Sequence, residues 1–142
     1  MYALELAEAV VPDGTIDLVD DQPRLLEVAM RRARERGLAN VTGVFADVRY
    51  LPFDDGTYDA AYLVAALGRV TSPEAALTEI ARVLRGGGRV VVGELNDDPH
   101  VIGPARLRRL AASAAFQVSR RDFAECGYLA ELVLTGGTDT AA

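Results

Sequence analysis

Apolar residues recur along the chain with two periods, and the switches between the periods divide it into alternating helices and strands. Residues 2–10 place Leu4, Ala7 and Val11 at helical spacing, and Pro12-Asp13-Gly14 reads as a turn. Residues 15–19 form a short β-branched run that ends at Asp20-Asp21, and Pro23 stands where the first turn of a helix tolerates proline. Leu26, Ala29, Met30 and Ala33 then make one apolar helical face, with Gly37 in the place of a left-handed cap, so a helix is predicted over 23–36. Strands follow over 41–45 and 58–64, separated by a turn at 52–56. The second is nearly continuous in apolar residues, as a buried parallel strand is. Ser72 can cap, and Pro73 can start, a helix with Ala76, Leu77, Ile80, Val83 and Leu84 on its core face, and Gly86-Gly87-Gly88 is predicted to end it as a cap and turn. A strand over 89–95, a helix over 104–114 and two strands over 116–121 and 128–134, antiparallel to each other, complete the pattern. Residues 136–142 are expected to be a disordered tail.

Strands alternating with helices in this way predict an α/β domain over 1–135, doubly wound, with a mostly parallel sheet closed by an antiparallel strand pair. In such sheets ligands bind beyond the carboxyl ends of the strands, so the residues after Val19, Phe45 and Leu63 carry the most functional weight. The length of 142 residues suits one domain. No apolar run is long enough for a membrane span, and Glu5 and Glu8 stand where a signal peptide would be basic, so a soluble cytoplasmic protein is expected. One cysteine, Cys126, and one histidine, His100, are too few for a zinc site, and no metal is expected. A net charge of -6 argues against nucleic acid as a partner. All 15 basic residues are arginine, which excludes lysine-dependent mechanisms, a phosphoacceptor receiver domain among them.

Asp20 is a candidate ligand-binding acid, because a carboxylate directly after a strand can accept from both hydroxyls of a ribose. The position alone fits equally an acid that merely opens a helix. Its context carries more. Residues 45–60 read Phe-Ala-Asp-Val-Arg-Tyr-Leu-Pro-Phe-Asp-Asp-Gly-Thr-Tyr-Asp-Ala, and this stretch resembles the G-D-A-x-x-L-P-F-x-D-x-S-F-D-A of the UbiE-like, or type 11, class I S-adenosylmethionine-dependent methyltransferases. Residues 14–20 resemble that family's second strand and ribose-binding acid, and residues 75–90 its A-L-x-E-I-x-R-V-L-K-P-G-G-R-x-V-V. The resemblance implies S-adenosylmethionine as cofactor and methyl transfer to a small-molecule acceptor. It assigns Asp20 to the ribose, Asp21 to the place beside the adenine, Asp47 to the adenine amino group, the backbone N–H of Val48 to a ring nitrogen, and the backbone near Leu63 to the methionine moiety.

Departures from the pattern matter as much. Ala46 replaces the family's glycine, Asp21 stands where a hydrophobic residue often covers the adenine, and Gln22 replaces a capping serine. The glycine-rich D-x-G-x-G-x-G that opens such domains does not occur in the 142 residues, so the first, central strand is expected to be missing. An open sheet edge would follow, for a second copy or a partner chain to cover, and cofactor binding by these residues alone would be weak. An inactive, methyltransferase-like remnant acting through protein interaction is therefore the alternative. A carbon or hydroxyl acceptor would need a base, and His100 and Glu94 are the candidates; the acceptor itself is not readable.

Overall fold

The computed structural model describes residues 2–135, so the expected tail lies outside the described residues. The elements run α1 (Tyr2–Ala9), β1 (Ile16–Asp20), α2 (Pro23–Glu35), β2 (Val41–Phe45), β3 (Tyr58–Val64), α3 (Pro73–Val83), β4 (Leu84–Leu95), α4 (Pro104–Ser113), β5 (Phe116–Ala124) and β6 (Gly127–Leu134), with a short 3-10 turn at Leu67–Arg69. The chain divides into two compact units between Tyr50 and Leu51.

In the first unit β1 and β2 form a parallel pair, joined through α2. Its core is Leu4, Ala7, Ala33 and Val41, with Ile16, Leu18, Met30 and Leu38 packed against it. The Asn40 side chain donates to the Ala7 and Gly14 carbonyls (2.9 and 3.0 Å) and so ties α1 to the start of β2. α2 ends as its sequence predicts. Gly37, at φ +69°, donates to the Arg34 carbonyl and Leu38 to the Ala33 carbonyl, the paired bonds of a glycine-terminated helix that returns its next apolar residue to the core. A Cβ on Gly43 would stand 2.9 Å from Met30 Cγ, which shows how closely α2 lies on β2.

The second unit is a four-stranded sheet in the order β3-β4-β6-β5. β3 and β4 are parallel, whereas β4-β6 and β5-β6 are antiparallel, the expected closing pair. Leu77, Ile80, Val90, Val92, Leu107, Phe116 and Leu132 form its interior. Ser72 caps α3 by accepting from Ala75 N–H (3.2 Å), with Pro73 in the first turn.

One expectation needs correction. The glycine triplet is no helix cap: α3 ends at Val83, and residues 84–88 bulge out of β4, whose register against β3 jumps from Tyr58↔Leu84 to Ala60↔Arg89. Gly87, at φ +75°, makes that bulge feasible.

Candidate functional site

The two acids predicted to hold an adenosine end neighbouring parallel strands. Asp20 is the last residue of β1 and pairs with Phe45, and Ala46 N–H donates to the Asp20 carbonyl (3.1 Å), which carries the ladder one step further. Asp47 follows directly. Both therefore stand at the carboxyl end of the β1-β2 pair, where α/β folds bind ligands.

Asp20 serves both readings of its position. Its Oδ1 accepts the Gln22 N–H (2.8 Å), which turns the chain into α2, while Oδ2 accepts no hydrogen bond among the described residues. Gln22 itself offers α2 no side-chain cap. Asp21 is exposed, and its charge acts on the Arg49 guanidinium.

Asp47 is held by a residue that the motif comparison passed over. Arg49 donates its backbone N–H to Asp47 Oδ1 (2.9 Å), its Nε–H to Oδ1 and Oδ2 (3.0 and 3.1 Å) and Nη2 to Oδ2 (2.6 Å). These bonds, the side-chain ones foremost, hold the Asp47 carboxyl down at about 2. Tyr50 N–H closes the turn on the Asp47 carbonyl (2.9 Å), and the Val48 N–H has no acceptor among the described residues. Two rings flank the acid: Phe45 is 65% exposed and Tyr50 74% exposed, with the Arg49 guanidinium 5.7 Å from the Tyr50 ring centroid. The sequence signal for these three was present, an Asp-x-Arg spacing and two large aromatic residues beside a polar turn.

In the second unit the carboxyl ends of β3 and β4 are knitted together. Leu63, half-buried, pairs with Val92, and Ala65 beyond it adopts a left-handed φ of 49°. Strain of this kind at a strand end is a feature of functional sites, and no sequence cue announces it here. Ala65 N–H donates to the Gly93 carbonyl (2.9 Å), and Arg69 bonds both the Ala65 carbonyl (3.0 Å) and Asp98 Oδ2 (2.8 Å). A Cβ on Gly68 would fall 1.7 Å from the His100 carbonyl oxygen, so only glycine allows this approach.

Of the two candidate bases, His100 is exposed, with its backbone N–H donating to Asp98 Oδ1 (2.8 Å), whereas Glu94 is 3% exposed. Glu94 Oε2 accepts the Ile102 N–H (2.9 Å), and Oε1, buried, has no partner among the described residues. Burial pushes the Glu94 carboxyl up, and the nearby Asp98 charge adds to it. The Tyr128 hydroxyl donates to the Ile102 carbonyl, so residue 102 is gripped from both sides. Burial raises that phenol to about 12.

The segment after the first unit is fixed by α3. Glu79 Oε2 accepts the Leu51 N–H (2.8 Å), and Arg82 donates to Glu79, to the Leu51 and Phe53 carbonyls (3.0 and 2.8 Å) and to Asp55 Oδ1 (2.8 Å). Two open depressions, of about 310 and 340 Å³, are lined by residues 118–121 with Phe123 and by Glu74, Arg106, Arg109, Leu110 and Ser113; no predicted site residue lines either. Among the described residues no cluster of three His, Cys, Asp or Glu side chains could hold a metal, and no helix is long and apolar enough to cross a membrane.

Residues 1–102 match the family described as the ubiE/COQ5 methyltransferase family. The chain is 37% identical over 93 residues to a ubiquinone/menaquinone biosynthesis C-methyltransferase of Idiomarina loihiensis, a match over 65% of this chain and 37% of that protein. It is 34% identical over 106 residues to a demethylmenaquinone methyltransferase of a Geobacillus species, over 75% of this chain and 45% of the relative. The chain thus spans less than half the length of these curated relatives. Among solved structures, a SAM-dependent methyltransferase from Aquifex aeolicus superposes with a TM-score of 0.87 at 18% identity, over 94% of this chain and 76% of the other. The [4+2]-cyclase SpnF gives 0.76 at 27% identity, over 84% and 48%. The fold is therefore that of the Rossmann-like methyltransferases, and the cyclase among the neighbours shows that the fold by itself does not name a reaction.

Proposed function

Because the chain belongs to the ubiE/COQ5 methyltransferase family of class I S-adenosylmethionine-dependent enzymes, we propose that it forms the adenosine-binding side of a methyltransferase acting on a small-molecule acceptor. One observation carries the reading: Asp20 and Asp47 stand together at the carboxyl end of adjacent parallel strands, bridged by the bond from Ala46 N–H to the Asp20 carbonyl. The donor set fits the group. Asp20 Oδ2 is open to ribose hydroxyls, and the Val48 N–H is a donor without an acceptor among the described residues, placed beside a carboxylate as an adenine edge requires. Asp21, exposed beside Asp20, would flank the adenine, and Leu63 would contribute backbone beside the methionine moiety.

When bound, the cofactor supplies a methyl group made electrophilic by its sulfonium. What the chain contributes is orientation: two carboxylates and a backbone donor hold the nucleoside in one pose, so that an acceptor placed opposite reacts within a fixed geometry. Exposed rings such as Phe45 and Tyr50 would offer the adenine faces to stack on. No covalent nucleophile is needed. Where an acceptor must lose a proton, Glu94, a carboxyl whose affinity for protons is raised, is a candidate base together with His100.

Titration of S-adenosylhomocysteine into the protein by calorimetry tests the reading. Asp20→Asn and Asp47→Asn are each expected to weaken binding about tenfold or more, the cost of a lost charged hydrogen bond. Unchanged affinity in both variants would remove the adenosine assignment.

A further inference from the structure

The turn after β2 closes on itself through a single cation. Four donor distances join Arg49 to the Asp47 carboxylate, and the Nε proton is shared between its two oxygens, so three protons are engaged. A carboxylate offers about four acceptor directions. Oδ1 takes the backbone N–H and Nε, and Oδ2 takes Nη2 at 2.6 Å. One direction on Oδ2, away from the guanidinium, is left. The planar fork also fixes the carboxylate's rotation, which a lone aspartate at the end of a turn would not keep. Arg49 is held in its turn by the Tyr50 ring and the charge of Asp21.

The geometry points to Arg49 as a positioning residue that makes the site selective for 6-aminopurines over 6-oxopurines. The inference rests on the reading that Asp47 meets the adenine amino group, and it adds a cause for selectivity. With the carboxylate locked, one acceptor direction on Oδ2 remains, and the next residue in the chain, Val48, has a backbone N–H without an acceptor among the described residues. An adenine edge presents a donor and an acceptor in that order. A hypoxanthine edge presents a carbonyl to the carboxylate and a ring N–H to the Val48 N–H, so that both contacts become repulsive. A carboxylate free to rotate could turn away from the carbonyl and accept the ring N–H instead, and the discrimination would fade.

Adenosine and inosine are the probes, titrated to millimolar concentration into the isotope-labelled chain, with the Val48 amide signal followed by NMR. These nucleosides carry no methionine moiety, so weak binding suffices. The native chain is expected to show a saturable shift with adenosine and little with inosine. Arg49→Gln is expected to weaken adenosine binding about tenfold while inosine binding is unchanged or improved, so that the ratio between the two collapses. Arg49→Lys, which keeps the charge without the fork, is expected to fall between them. Retained signal dispersion shows that the variants fold, and a carboxyl titration of Asp47 that moves up from about 2 in Arg49→Gln shows that the clamp itself was broken. Adenosine binding equal to or tighter than native in Arg49→Gln, or an unchanged adenosine-to-inosine ratio, overturns the proposal and leaves the adenosine site standing. Absence of any adenosine shift in the native chain overturns the adenosine site, and the proposal with it.

Discussion

Asp47 and Glu94 are both carboxylates near the carboxyl ends of parallel strands, yet their surroundings drive them in opposite directions. Asp47 is partly open to solvent and held by the Arg49 fork, so its charged form is favoured and its carboxyl titrates at about 2. Glu94 is almost fully buried and among the described residues accepts only the Ile102 N–H, on one oxygen, so its neutral form is favoured. The difference separates two roles one residue type can play. A permanently charged acceptor is suited to recognition, and a buried carboxyl poised to take up a proton is suited either to proton transfer or to clamping a loop.

Four measurements would break or sharpen that contrast. The largest effect is expected at Glu94's partner in gripping Ile102. Tyr128→Phe leaves the Ile102 carbonyl without its donor and should cost about 1–3 kcal/mol in urea denaturation. The loss should be constant with pH until the phenol of the unfolded chain ionises, and an unchanged midpoint would show that residue 102 is held by Glu94 alone.

Glu94→Gln comes next and tests the sign directly. Because the folded-state carboxyl is raised above its unfolded value of 4.5, its stabilising contribution is complete below that value and erodes as pH climbs through the folded value. The glutamine variant does not titrate, so it should gain on the native protein by about 1 kcal/mol between pH 4 and neutrality. A parallel pair of stability curves would mean that Glu94 is not raised at all.

Ala65→Gly, in the same sheet, should stabilise by only about 0.5 kcal/mol, the small remainder when relief of a left-handed alanine offsets the extra freedom of glycine in the unfolded chain. A lower melting temperature would show that the strain is illusory. Arg49→Gln should scarcely alter stability at neutral pH, since its pair with Asp47 is solvent-screened. Whatever the pair contributes is present above the ordinary carboxylate value of 3.8 and lost as pH falls toward about 2, so native and variant should converge there. A large neutral-pH loss would make Arg49 a structural residue and weaken its place in recognition.

Much of the fold was legible because its punctuation is local. Pro23, Gly37, Ser72 and Pro73 each act within one helical turn, and the helices they bound match the structure to within about a residue. The glycine triplet misled, since three glycines after a helix look like a cap, whereas their bulge exists only through the register of β4 on β3. That register is a long-range property. Asp20 and Asp47 were legible as candidates through strand ends and motif, and the structure puts Asp20 at the end of β1 and Asp47 two residues beyond the end of the neighbouring β2. Arg49 left only the faint signal of an Asp-x-Arg spacing, because the motif treats its position as free and the clamp depends on how tightly the turn closes. The strain at Ala65 and the orphaned oxygen of Glu94 were invisible for a similar reason. Nothing in a side chain's identity tells which of its atoms folding will leave without a partner.

The bonds from Glu79 and Arg82 to residues 51–55 also bear on inheritance and engineering. A loop whose backbone groups are satisfied by a helix some thirty residues later cannot be exchanged on its own. A chimera that imports residues 51–55 from a relative onto an α3 without this Glu and Arg would strand the Leu51 N–H and two carbonyls. One that imports loop and helix together would carry its own partners along. The two stretches are one heritable part written in two places, and selection on either one is felt by both.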